Sequence, residues 1–210
     1  MRVREKEDCV LLEGAHTGYL QNETQVLLRR KILVLEPGVY VLADTAYSEE
    51  SHTYSRLFHF NNQGMVSAKE GRILYHGKRA DMELIFPQEE TCFYIEESKL
   101  SRHYNLCEKN EMVAADTKGE GKTFMLAVLA GNQKKPVKVC MNPVYNPVRG
   151  CLLADEAAQA VRICTDAHEY ELIFRHGDLA GPQDLLQAGS CMGIGSVLVC
   201  ADSGETLCFA

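Results

Sequence analysis

From the ninth residue almost to the end, short apolar runs alternate with turn-forming residues. "TQVLLRRKILVLE", "VYVLADTAY", "HTYSRLFHFN", "RILYHG", "ADMELIFP" and "TCFYIEE" come first; "EMVAADT", "KTFMLAVLA", "VKVCMN", "AVRICTD", "HEYELIFRH", "GSVLVCAD" and "ETLCFA" follow. Pro37-Gly38, Asn61-Asn62-Gln63-Gly64, His76-Gly77 and Gly119-Glu120-Gly121 mark turns between them. Val, Ile, Tyr and Phe favour strands because branched and planar side chains pack well on a pleated surface. Short strands at this spacing are the pattern of an antiparallel sandwich or barrel. Only "DEAAQAV" and "GPQDLLQA" have the composition for a turn or two of helix. The expected fold class is all-β.

A chain of 210 residues suits one domain, or one domain with a smaller appendage. The polar, proline-bearing "GNQKKPVK" (131–138) is the best internal boundary. The expected organisation is a charged leader (1–7), a β-sandwich (8–134), and a smaller β-subdomain or additional strands (135–210). With 22 basic and 29 acidic residues the net charge is −7. Nucleic acid is thereby disfavoured as a partner, because binding it requires a basic face that displaces counterions. No apolar run is long enough to span a bilayer, so no membrane partner is expected. The start, "MRVREKEDCV", has no apolar signal region. Nine cysteines without a C-x-x-C pair signal neither a zinc ribbon nor a disulfide framework. A reduced, cytoplasmic setting is the expectation.

Chemical motifs fail on inspection. "GEGKT" (119–123) has Asp116 where a phosphate-binding loop needs its first glycine, and reads as a hairpin tip. Asn22-Glu23-Thr24 fits a glycosylation sequon, which matters only in a secreted chain. No two histidines are separated by one residue, and no metal or cofactor site is predicted.

The stretch "SHTYSRLFHF" (51–60) is the richest in chemistry. Side chains two apart on a strand share a face, so His52, Tyr54 and Arg56 line up with Phe58 and Phe60, while Leu57 and His59 point away. The types suit a base, a proton donor and a carboxylate clamp, which makes His52, Tyr54 and Arg56 the candidate catalytic residues. Phe58 and Phe60 on the same face call for burial, and polar groups on such strands usually brace the framework. The structural reading is favoured. Asp44, at a strand end, is expected to pair with Arg29 or Arg30 across strands and to fix register. Arg29, Arg30 and His59 are the candidate substrate contacts; Asp44, Phe58 and Phe60 are structural candidates. Tyr19, Tyr40 and Tyr75 could stack on sugars, but in a chain without tryptophan they read as packing.

Taken together, "GAHTGY", the Arg29-Arg30 pair leading an apolar strand, "EPGVYVLADTA" and "HTYSRLFHF" follow one another in a telling order. This order resembles the C-terminal β-sandwich of the heparinase II/III-like polysaccharide lyases, over about residues 8–130. The resemblance implies an antiparallel two-sheet, supersandwich-like fold with a smaller C-terminal β extension. It implies a parent enzyme that cleaves uronate-containing polysaccharide, such as glycosaminoglycan, by β-elimination, with an N-terminal helical toroid carrying most catalytic groups. The family's sandwich usually adds an H-x-H-x-D-like and an H-N-T-like segment, supplying a catalytic histidine and zinc ligands. Neither segment occurs here, nor does a toroid. The chain is therefore expected to be a non-catalytic sandwich that scaffolds a substrate cleft and binds no cofactor itself. The alternative is a freestanding carbohydrate-binding or assembly module, including a homodimer through an exposed sheet edge.

Overall fold

The computed structural model describes residues 1–21, 24–35, 38–176, 184–202 and 204–209. Asn22 and Glu23 of the sequon, Pro37 of its turn, and residues 181–183 of the second helical candidate lie outside them. Strands β1 (Arg2–Lys6), β2 (Cys9–His16), β3 (Leu27–Leu35), β4 (Val39–His59), β5 (Gly64–Lys69), β6 (Arg72–Gly77), β7 (Asp81–Ile85), β8 (Cys92–His103) and β9 (Leu106–Gly131) form a nine-stranded antiparallel sheet. Its order is β1-β2-β3-β4-β9-β7-β6-β5, with β8 also paired to β9. A second sheet contains β10 (Lys138–Asn142), β13 (Ala158–Cys164), β14 (Glu169–Arg175), β17 (Val197–Ala201) and β18 (Thr206–Phe209), in that order. A third, small sheet joins β12 (Cys151–Leu152), β11 (Tyr145–Asn146), β15 (Leu186–Ala188) and β16 (Cys191–Gly193).

The first two sheets make a β-sandwich. Leu11, Leu33, Val41, Leu126 and Val128 of the first face Val161, Ile163, Leu172, Phe174, Val197 and Phe209 of the second. The other side of the second sheet (Ala158, Ala160, Ile173, Leu198, Cys200) packs on Leu186, Ala188 and Cys191 of the third, together with Val144. A sheet covered on both faces explains why β13, β14 and β17 read as continuous apolar runs instead of alternating. It also explains why neither helical candidate is helical where described. Ala158 and Ala160 face one core and Val161 and Ile163 the other, and "LQA" is β15. The sandwich does not close within residues 8–134, because its second face begins at Lys138. The charged leader is itself a strand: β1 pairs with β2 from Arg2↔Glu13 to Lys6↔Cys9. Charged side chains, including the Arg4–Glu13 ion pair, are what an edge strand carries to deter further pairing.

Strands β4 and β9 form one long ribbon, paired from Val39↔Ala130 to His59↔Met112. Register shifts between Ser48 and His52, which oppose Gly121 and Gly119, so β4 takes four steps where β9 takes two. Such a bulge bends a ribbon. The far half folds back over the first, burying Phe58, Phe60, Val113 and Ala115 against Ile73, Leu84 and Ala127. Gln88 supports this fold-back. On its outer edge β9 pairs with β7 through Ile85↔Val128 and with β8 through Cys92↔Asp116, leaving a gap between. Within that gap the Gln88 side chain accepts from the Leu126 N–H at 2.6 Å and donates to the Phe124 carbonyl at 2.9 Å, as a neighbouring strand would. Gln88→Ala is expected to cost about 2 kcal/mol, read as a lower urea midpoint at unchanged slope.

Candidate functional site

The bend creates an open cleft of about 730 Å³ between β2–β4 and the folded-back half of β4. Two register rows form its floor. Gly14, Arg30, Asp44 and Met125 make one, and His16 and Leu28 begin the other, which continues beyond the lining through Ala46 and Thr123. His52, Tyr54 and Arg56 stand on the opposite wall, and Tyr19 and Thr24 contribute from the β2–β3 connection. Tyr54 is seated on Val26, Ala46 and Met125.

Of the two arginines considered for Asp44, Arg30 is the partner. Its Nε and Nη2 donate to both carboxylate oxygens at 2.6 and 2.7 Å, and this bond raises the guanidinium pKa. Arg29 also borders the cleft, but its guanidinium sits 5.4 Å from the Tyr47 ring centre and not on Asp44. The His52 Nε2 is 3.0 Å from the Ser48 hydroxyl across the bulge. Tyr54 is buried, with its hydroxyl facing that of Thr123, and burial raises the phenol pKa. Arg56 is also buried, its guanidinium over Phe86, and desolvation lowers it to about 10. At neutral pH it is still a cation.

His52, Tyr54, Arg56 and Arg30 thus meet in one cleft, while His59 is exposed outside it, with Ser98 the nearest partner at 3.5 Å. Asp44 pins β3 to β4, and Phe58 and Phe60 pack in the core behind. Three contributors went unnoticed in the sequence: His16, Thr123 and Phe86. His16 lies within "GAHTGY", a signal that was available; Thr123 and Phe86 do not line the cleft but back Tyr54 and Arg56. The zinc associated with the family has no fitting donor set, since among the described residues no three His, Cys, Asp or Glu side chains converge. Chemically the cleft offers a buried cation, a phenol, an imidazole and a half-exposed arginine. These are groups that bind an anionic, hydroxyl-rich ligand.

The family model described as "Heparinase II/III-like, C-terminal" matches residues 1–141. No curated protein matches the chain. Among solved structures, the heparan sulfate lyase HepC from Pedobacter heparinus superposes with a TM-score of 0.63 at 10% identity, covering 83% of this chain and 27% of that one. The heparinase III BT4657 gene product gives a TM-score of 0.63 at 13% identity, again covering 83% of this chain and 27% of that one. At these identities the likeness establishes the fold, and this chain corresponds to about a quarter of each of those proteins. With two thirds of its residues inside the family match, the chain belongs to the heparinase II/III-like, C-terminal family.

Proposed function

We propose that this chain is the sandwich-side wall of a cleft that holds an acidic polysaccharide, and that it binds and orients the polymer without cleaving it. The observation that carries the reading is the convergence of Arg30, Arg56, His52, Tyr54 and Tyr19 on one open concave face. Pre-set cations and polar groups in a cleft fix the orientation of an anionic ligand. A helical toroid packed against this face would complete the cleft, and the nine free thiols support a reducing compartment. A freestanding binding or assembly module is the second reading, favoured by the fact that this wall is built from one continuous chain.

The test is to titrate the full chain with a heparan-type tetrasaccharide, an alginate tetrasaccharide and a neutral cello-oligosaccharide while monitoring unsaturated-uronate absorbance. Saturable binding of an acidic oligosaccharide, none of the neutral one and no absorbance rise are expected. Failure to bind any acidic oligosaccharide overturns the cleft reading. An absorbance rise that disappears in His52→Ala or Tyr54→Phe makes the chain a catalyst and overturns the non-catalytic assignment. Light scattering separates the two readings, a stable dimer favouring the assembly module.

A further inference from the structure

The folded-back half of β4 is a strand with one side open. Pairing of β4 to β3 stops at Leu27↔Tyr47, so from His52 to His59 only β9 is bonded to it. Just past this stretch, the Phe60 N–H donates to the Glu111 carbonyl at 3.1 Å. Bonding alternates along an antiparallel pair. The backbone groups of Tyr54, Arg56 and Phe58 therefore turn toward β9, and those of Thr53, Ser55 and Leu57 turn away from it. Among the described residues, no backbone or side chain bonds to the N–H or C=O of these three. All three line the cleft, although their side chains leave the face opposite Tyr54 and Arg56. That part of the wall is the strand's own edge.

Sheet edges are ordinarily blunted by charge, proline or a cover, as β1 is by Arg2, Arg4 and Lys6. Thr53, Ser55 and Leu57 bring neither charge nor proline, and Leu57 is 54% exposed. We infer that this edge takes up an extended acidic peptide as an added strand, bonded through the backbones of Thr53, Ser55 and Leu57. Strand addition of this kind takes its affinity from main-chain bonds and its selectivity from alternate side chains. The inference does not rest on the polysaccharide reading, and it gives the cleft a ligand of a second class. From Thr53 to Leu57 the ladder runs roughly 13 Å, the length of about five extended residues. The recess favours a lone strand: facing β2, β3 and Tyr19 across about 730 Å³, the edge admits a short segment but not the sheet behind a second copy's edge. The lining favours acid. Arg29, Arg30 and Arg56 stand there against Asp44 alone among carboxylates, and Arg30 already holds Asp44. Side chains of an added strand alternate, so one set meets exposed Leu57 and the other the basic side. Branched apolar residues alternating with acidic ones fit that surface.

The probe is a capped heptapeptide of alternating valine and glutamate, titrated into the full chain while backbone amide resonances are followed. Saturable binding is expected, with the Thr53, Ser55 and Leu57 amides shifting and gaining protection from exchange, and those of Tyr54 and Arg56 moving less. In an antiparallel ladder, valines on the Leu57 face carry the N–H groups that bond to β4. N-methylation of the valines is therefore expected to lower affinity at least tenfold, and N-methylation of the glutamates to leave it within about threefold. Equal effects of the two overturn the inference. A peptide of alternating valine and lysine is expected to bind at least tenfold more weakly, and equal binding overturns the acidic assignment. Leu57→Pro removes one edge N–H that β9 does not use, which an edge strand tolerates. It is expected to melt within a few degrees of wild type and to weaken the peptide at least fivefold. If the chain binds an acidic tetrasaccharide but no peptide, this inference fails and the polysaccharide reading stands; peptide binding without tetrasaccharide binding does the reverse. A concentration-dependent dimer that shifts the same three amides without peptide assigns the edge to a second copy and overturns the choice of a lone strand.

Discussion

A chain ended at Lys134 is expected not to fold. It would keep the whole first sheet and lose the second, leaving Leu11, Leu33, Leu35, Val39, Val41, Leu126 and Val128 facing water instead of Val161, Ile163, Leu172, Phe174 and Phe209. Each large side chain so exposed forfeits roughly 1.5–3 kcal/mol, and the sum exceeds the roughly 5–15 kcal/mol by which domains are usually stable. The back-folded ribbon with Phe58, Phe60 and Ile73 keeps its own cluster, so residual strand signal is expected without cooperative melting. Circular dichroism and dye binding of residues 1–134 would show it. A sharp thermal transition in that fragment would mean that the first sheet is autonomous and the second an accessory. The family match ends at residue 141, inside β10, the first strand of the second sheet.

Strand-forming residues and turns announced the architecture because alternation and Gly or Asn punctuation are local properties. Parity on β4 likewise placed His52, Tyr54 and Arg56 on one face correctly. The division into layers was not legible. The apolar runs of β13, β14 and β17 look alike whether a strand is covered on one side or both, and only the third sheet, built from strands of two or three residues, reveals the second covering. The cleft was hidden for a related reason. It depends on a bulge whose residues, Glu49 to Ser51, carry no turn signal, and on the choice of Arg30 over Arg29 as the partner of Asp44. That choice is a matter of register: Arg30↔Asp44 face one way and Arg29↔Thr45 the other. One residue of slip would have exchanged them.

The same structure explains why polar bracing and ligand binding are hard to distinguish in sequence. Arg30 and Arg56 both line the cleft, yet Arg30 is neutralised by two short hydrogen bonds and Arg56 by none. A polar residue that braces a sheet usually ends with its hydrogen bonds made, as Arg30 does.

Stability should rise with pH in two separate steps, both set where the sheets of the sandwich meet. His176, just past β14, lies buried with its ring stacked on Phe124, centroids 3.4 Å apart. Lys122 donates to the His176 carbonyl at 2.8 Å, and Lys31 donates to the carbonyls of Arg175 and Ser196 at 3.1 and 3.3 Å. Burial, followed by the charges of Lys31 and Lys122, holds the imidazole pKa well below 6.5. Below pH 6.5 the unfolded chain therefore takes up a proton that the folded chain refuses, and stability falls by ~1.4 kcal/mol per pH unit until the folded pKa is reached. Burial also lowers Lys31 from 10.5 to about 8. Between those values the unfolded chain holds the extra proton, so Lys31 makes stability climb again from about pH 8, with a level stretch from this pair between about 6.5 and 8. Above about pH 9 the buried thiols of Cys9 and Cys191, raised to about 11 and about 12, oppose that climb. Glu171, its carboxyl pushed up by burial, opposes the first step only where it titrates, just above the ordinary carboxylate range. Melting temperatures from pH 4.5 to 9, below the range in which the raised Cys9 and Cys191 thiols act, should show both rises in the wild type. His176→Phe, which keeps the ring stack, should remove the lower rise and leave the upper one, and Lys31→Met should do the reverse. If His176→Phe loses stability on acidification as steeply as the wild type, the acid sensitivity lies elsewhere and the buried imidazole is not its source.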